Sequence, residues 1–260
     1  MIHATVIASG SMGNAVLVSG GKTSLLIDAG TGSKHIESCL HLAGIAPQHL
    51  AGVLVTHEHG DHTRALKKLC KKYRMPVFAN ALTADALKRS GLVADWCVFL
   101  TDCAFRVGDL NISPFPVPHD AADPVGFVIS HGASSFAVAT DFGYVTPRVL
   151  ASLQGVGALL VESNHDLSML RADRKRPESV KTRILSRHGH LSNDDAARLV
   201  ASITSPSLRH VVLAHLSEDC NTHALAIRAV AERLQAEGHS SPRIHCPGGP
   251  DEAFPFSIEI

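Results

Sequence analysis

Residues 52–62, reading Gly-Val-Leu-Val-Thr-His-Glu-His-Gly-Asp-His, constrain this chain more than any other stretch. The apolar run reads as a buried strand. It delivers four metal-ligating side chains, His57, His59, Asp61 and His62, within six residues at its carboxyl end, just before a helix. In layered α/β proteins, functional groups gather at that end of a strand. In an extended or turning segment His57 and His59 share one side, and after the turn at Gly60, Asp61 and His62 face a second position, so two adjacent ion sites are expected. The bland alternative is a solvated loop in which Asp61 caps the next helix. Three histidines and an aspartate at this density argue against it.

Around this segment, short β-branched runs alternate with amphipathic stretches, the pattern of a mixed α/β protein whose helices cover sheets. Strands are expected over 4–8, 15–19, 23–27, 52–55, 76–79, 98–100, 111–117, 125–130, 135–139, 158–162, 210–214 and 243–245. Helices are expected over 34–43, 63–73, 83–90, 147–153, 177–186, 193–202 and 221–237. Early hairpin-spaced strands before the first helix disfavour a Rossmann start. Residues 167–177 read as an exposed loop, and with no repeat or long linker the chain is expected to form one domain, 1–260.

Composition narrows function by exclusion. Lys plus Arg (24) equals Asp plus Glu (24), so no global positive field draws nucleic acid or anionic membrane to the protein, and any preference for a polyanion must be local. No segment approaches the 18 or more apolar residues of a membrane span, and the first residues lack a secretory pattern. A cytoplasmic protein is expected. Six cysteines without a CxxC pair argue against a disulfide framework and against a thiolate zinc site. The anomaly is 17 histidines, which cluster.

His57-x-His59-x-Asp61-His62 resembles the signature of the metallo-β-lactamase superfamily of binuclear metallohydrolases. The resemblance implies a four-layer αββα sandwich, two mixed β-sheets flanked by helices. Asp28, after Leu25-Leu26-Ile27, looks like the family's buried aspartate that supports the metal loop, although an aspartate after a strand also forms turns. His119 in Pro118-His119-Asp120 looks like the third histidine of the first site. Asp141 looks like the bridging carboxylate, and His215 like the last ligand of the second site. The implied set is His57, His59 and His119 on one ion, Asp61, His62 and His215 on the other, with Asp141 between. Imidazole and carboxylate ligands without thiolate suit zinc, with manganese or iron as alternatives. Two cations about 3.5–4 Å apart activate water at neutral pH and neutralise charge on the reacting oxygens. The resemblance gives Asp61 a second role as base. His59 stands where the diiron oxidoreductase branch usually has Glu, and Asp141 where the zinc β-lactamases usually have Cys, so redox chemistry and antibiotic hydrolysis are disfavoured.

The segments Leu159-Leu-Val-Glu162-Ser-Asn-His165-Asp166 and Gly189-His190-Leu-Ser192-Asn193 resemble the YycJ-like (WalJ-like) subgroup, which is associated with 5′-exonuclease action on DNA. His190, Ser192 and Asn193 read either as a phosphate grip at a helix start, with His190 also able to protonate a leaving oxygen, or as an N-capped helix beside a surface histidine. His165 is either a substrate contact or a polar loop residue. Basic runs at Arg64, Lys67, Lys68, Lys71, Lys72 and Arg74, and at Arg171, Arg174, Lys175, Arg176, Lys181, Arg183 and Arg187, either bind phosphates or line solvated helix faces. The expected function is a phosphodiesterase or exonuclease on DNA or RNA. A thioester or lactone hydrolase of the glyoxalase-like branch is the alternative, and a non-catalytic metal-containing binding protein the third reading.

Overall fold

In a computed structural model, whose described residues are 1–239, 242–249 and 253–260, two seven-stranded sheets lie face to face. The first contains β1 (Ile2–Ala8), β2 (Ala15–Gly20), β3 (Thr23–Ile27), β4 (Gly52–Leu54), β5 (Pro76–Asn80) and β6 (Asp95–Phe99). The second contains β7 (Phe105–Val107), β8 (Leu110–Pro116), β9 (Val125–His131), β10 (Ser134–Ala139), β11 (Ala158–Glu162), β12 (His210–Ala214) and β13 (Arg243–His245). A last strand, β14 (Phe256–Glu259), returns to pair antiparallel with β1. In each sheet three pairings are antiparallel, and the rest, β3 to β6 and β10 to β13, are parallel. Parallel neighbours need long crossovers, which helices supply here. The parallel order therefore carries the carboxyl ends of β3, β4, β10, β11 and β12 toward one place.

Period-two side-chain direction builds the layers. Leu25 and Ile27 point into the core between the sheets, where they meet Ile112, Phe127, Phe136 and Leu160, while Leu26 points outward. On the outer face of the first sheet, α1 (Ser33–Leu42), α3 (Leu66–Tyr73) and α4 (Ala81–Arg89) bury Ile36, Leu40, Leu66, Leu69 and Leu87; the short α2 (Gly60–Thr63) precedes α3. On the outer face of the second, α5 (Pro147–Leu153), α8 (Asn193–Ile203) and α9 (His223–Ala236) bury Val149, Leu199, Val200 and Val230, with α6 (Leu167–Ala172) and α7 (Glu178–Ile184) lying between α5 and α8 in the chain. Each such fully buried side chain contributes about 1.5–3 kcal/mol. This is the αββα sandwich that the resemblance implied.

Several elements differ from expectation for local reasons. Residues 167–177 are not all loop: Asp166 caps α6 by accepting from the Met169 amide, and Leu170 is buried. The strand expected over 98–100 is β6, and Leu100 lies outside it, because pairing of Asp95–Phe99 with β5 rather than apolarity sets the boundaries of an edge strand. The helix expected over 63–73 is broken, because the Ala65 amide is drawn out to the Ala29 carbonyl at 2.8 Å. Strands β7 and β14, three and four residues long, were not expected.

Candidate metal centre

Three residues at this end of the sandwich hold left-handed backbone although none is glycine: Asp28 after β3, Asp141 after β10 and His215 after β12, with φ of 59°, 59° and 56°. Such conformations persist where surrounding contacts over-determine them, and they concentrate at functional sites. The loop carrying His57 to His62 is clamped between them. Asp28, buried beneath it, accepts from the Thr56 amide (2.9 Å), the Thr56 hydroxyl (2.8 Å) and His62 Nδ1 (2.7 Å). The Asn14 amide donates to the Asp61 carbonyl at 2.8 Å, and the Asn14 carbonyl accepts from Gly30 at 2.8 Å. Gly30 admits no side chain, since a Cβ there would lie 1.5 Å from the Asp61 carbonyl oxygen.

The side chains assemble into three groups, the last two sharing Asp141 and His215, in each of which one potential ligand atom per residue lies within 4.8 Å of the others. The first is His57, His59 and His119. The second is Asp61, His62, Asp141 and His215, and the third is Asp141, Glu162, His190 and His215. Four distant stretches, residues 57–62, His119, Asp141 and His215, thus bring all seven residues of the expected ligand set together.

The ring orientations have one logic. His62 Nδ1 donates to Asp28, His215 Nδ1 to Glu162 at 2.7 Å, and His119 Nδ1 lies 3.1 Å from the His188 carbonyl; His57 Nδ1 lies 3.1 Å from the Thr56 hydroxyl. With Nδ1 tied, Nε2 is the nitrogen left for the centre, the arrangement that fixes tautomer and direction in metal-binding histidines, and that of His62 also lies 3.1 Å from the Asn14 side-chain amide. His57 Nε2 and Asp141 Oδ2 are buried without any hydrogen-bond partner, although His62 Nε2 stands 3.1 Å from that carboxylate oxygen. Unpaired buried polar atoms facing a group of imidazoles and carboxylates fit a divalent cation, and the donor set, free of thiolate, suits one.

The two ends of the centre titrate oppositely. Burial, reinforced by the charge of His62, holds His57 well below the ordinary imidazole range, and burial also lowers His119. Burial acts the same way on His62 and His215, but carboxylates override it. Asp141 and Asp28 lift His62 well above its usual value, and Asp141, Asp61 and Glu162 push His215 up to about 10. Asp61 Oδ2 stands 3.5 Å from His62 Nε2 and 3.6 Å from His215 Nε2; although burial opposes ionisation, these imidazoles hold its carboxyl well below the usual range. Asp141 is lowered likewise, against its burial, by His215 and His62.

Glu162 and Asn14 are additions that the sequence reading did not single out. Glu162 ends β11, fully buried, and its Oε1 accepts from both His190 Nδ1 and His215 Nδ1 at 2.7 Å. Burial opposes its ionisation, yet His190 and His215 bring it down to about 2. The sequence signal was a lone carboxylate ending the apolar run Leu159-Leu160-Val161. For Asn14 it was a polar side chain behind Gly10 and Gly13 in the turn after β1.

His190 is not a surface residue. Its side chain is 20% exposed against 3% for His215, and Glu162 raises its pKa against the effect of burial. Ser192 is buried and caps α8, its hydroxyl accepting from the Asp195 amide. Asn193 is also buried, and its side chain is engaged by Ser163 and Asn221 at 2.7 and 2.8 Å. Their polar groups are therefore spent inside the protein, as the capped-helix reading has it, and not displayed to a phosphate. His165 is 1% exposed, belongs to none of the three groups, and neither ring nitrogen has a hydrogen-bond partner.

This sandwich with histidines and carboxylates gathered at its strand ends defines the metallo-β-lactamase class. Residues 23–216 match the β-lactamase superfamily domain, and the chain belongs to that family. It is 38% identical over 240 residues to exodeoxyribonuclease YycJ of Bacillus anthracis, spanning 91% of this chain and 90% of that one. Exodeoxyribonuclease WalJ of Streptococcus pneumoniae serotype 2 is 34% identical over 235 residues, 88% of this chain and 87% of its own. Among solved structures, the metallo-β-lactamase fold protein YhfI from Bacillus subtilis superposes over the full length of both chains with a TM-score of 0.72 at 16% identity, a likeness of fold.

Proposed function

We propose that this protein is a metal-dependent phosphodiesterase that degrades DNA from an end. The observation that carries the reading is the set of histidines whose Nδ1 atoms are tied to protein acceptors while their remaining nitrogens converge with Asp61 and Asp141. His57, His59 and His119 would hold one divalent ion and Asp61, His62 and His215 the other, with Asp141 shared; zinc is the first choice, manganese or iron the alternatives. Bound there, the ions supply a water-derived nucleophile at neutral pH and neutralise charge on phosphoryl oxygens. The names of the two exodeoxyribonuclease relatives support DNA as the substrate.

The chain's own residues divide the remaining work. Asp61, ionised and partly open to solvent, orients the attacking water and accepts its proton. His190 is the proton donor to the leaving oxygen. Its Nδ1 is held 2.7 Å from Glu162 and stands 3.8 Å from Asp141, which leaves Nε2 as the nitrogen to pass a proton on, and the buried carboxylate favours the charged imidazole. Glu162 touches no substrate: it positions His190 and His215 together. We place the protein in the cytoplasm, where its six cysteines would stay reduced; no helix among the described residues is long and apolar enough to cross a membrane.

The test is turnover of end-labelled single- and double-stranded DNA and RNA by protein loaded with zinc or manganese. Progressive shortening of DNA that stops on chelation is the expected result. Turnover of a thioester or lactone panel with none of any nucleic acid would reverse the assignment.

A further inference from the structure

The second basic run does not act as a block, because most of its charge is spent. Lys175 and Arg176 pair with Asp219, Lys181 with Glu178, and Arg183 with Asp120. Among the described residues Arg171, Arg174 and Arg187 of this run form no salt bridge with a carboxylate, and of the three Arg187 has its guanidinium carbon 4.5 Å from the centroid of the Tyr144 ring. Arg187 is exposed and Tyr144 half-buried, so the ring backs the guanidinium and leaves its outer side to solvent.

Both residues belong to the rim of the candidate centre. Tyr144 follows Asp141 by three residues and Arg187 precedes His190 by three, so each Cα lies within roughly 11 Å of that neighbour's. The two loops touch: a Cβ on Gly143 would lie 2.1 Å from the Ser186 carbonyl oxygen and 2.5 Å from the Arg187 carbonyl carbon. The next carbonyl along, that of His188, lies 3.1 Å from His119 Nδ1. The stack is thus built into the same loops that place His119, Asp141 and His190.

A flat cation held against an aromatic ring beside a phosphodiester-cleaving centre suits a nucleobase, since every base has a π face and guanidinium planes stack on it. We propose that the Arg187–Tyr144 pair is a nucleobase platform, on which the base of the nucleotide beside the scissile phosphate stacks against the open face of Arg187. This inference rests on the phosphodiesterase reading. It distinguishes base stacking from a simple phosphate contact, which any cation of the run would make.

The experiment compares two end-labelled single-stranded DNA substrates, one normal and one abasic at the terminal nucleotides, with the manganese-loaded protein and its Arg187→Ala, Arg187→Lys and Tyr144→Ala variants. Expected for Arg187→Ala is a rise in KM of about tenfold on normal DNA, the scale of one stacked base, and less than about twofold on abasic DNA. Arg187→Lys behaves like Arg187→Ala, because the plane matters and the charge does not, and Tyr144→Ala, which removes the ring behind the guanidinium, raises KM on normal DNA more than on abasic DNA. Recovery by lysine, or an equal loss on both substrates, overturns the platform in favour of a phosphate contact. Failure of the wild type to cleave either oligonucleotide removes the phosphodiesterase reading, and the platform with it. Unchanged thermal midpoints separate these outcomes from misfolding.

Discussion

His57 and His119 direct Nδ1 at a hydroxyl and a backbone carbonyl, whereas His62 and His215 hydrogen-bond to the buried carboxylates Asp28 and Glu162. Both arrangements tie Nδ1, but their electrostatic consequences are opposite. The first pair is held neutral, with its ligand nitrogens ready. The second is held protonated, so a metal arriving there must displace protons. On the proposed ligand assignment, the same fold offers one half-site preorganised by burial and another in which carboxylates stabilise protons in the metal's absence and would strengthen the ligands in its presence.

The largest expected effect separates the chemistry from this scaffold. His190→Ala should lower kcat by about 10²–10⁴, the range of general acid–base catalysis, while two ions per chain remain by elemental analysis. Loss of metal along with activity would make His190 a ligand instead of a proton donor. Glu162→Gln breaks the link between His190 and His215 and should cost about 10–100-fold in activity or in affinity at the carboxylate-rich half-site, with the three-histidine half-site unaffected. Competition titration with a chelator distinguishes the two half-sites.

A smaller effect follows from the raised imidazoles. With a folded pKa of about 10 against an ordinary 6.5, His215 contributes stability to the metal-free protein that is complete below about pH 6.5 and is lost as pH rises toward 10. His62 acts in the same direction. Glu162, lowered from 4.5 to about 2, contributes above pH 4.5 and loses that contribution as pH falls toward 2. The thermal midpoint of metal-free protein should therefore fall between pH 6.5 and 10 more than that of the metal-loaded form, whose imidazoles are already neutral. Parallel curves would contradict the contrast between half-sites. Least of all, Ser192→Ala should lower stability by about 1 kcal/mol through loss of the α8 cap and leave kcat unchanged, as denaturant unfolding and a steady-state assay would read.

Legibility in the sequence followed locality. His57 to His62 announced themselves because four ligand-type side chains fall in six residues. Asp28, His119, Asp141 and His215 were singled out because the family resemblance says where to look and each follows an apolar run, and the parallel order of β3–β4 and β10–β12 explains why the ends carrying Asp28, Asp141 and His215 converge. Glu162 escaped because its partners lie 28 and 53 residues away, and nothing local distinguishes a carboxylate that joins two imidazoles from an ordinary strand end. Ser192 and Asn193 suggested a phosphate grip because capping and anion binding use the same residue types. Strand β14 forms only by pairing with β1 across the length of the chain, a long-range contact that its four residues do not advertise.

On the proposed assignment, two cations share the space among these seven side chains. Anomalous diffraction from manganese-soaked crystals would locate them. Two peaks are expected, one among His57, His59 and His119 and one among Asp61, His62 and His215, with Asp141 contacting both. A single peak, or peaks bound only by other residues, would contradict the assignment.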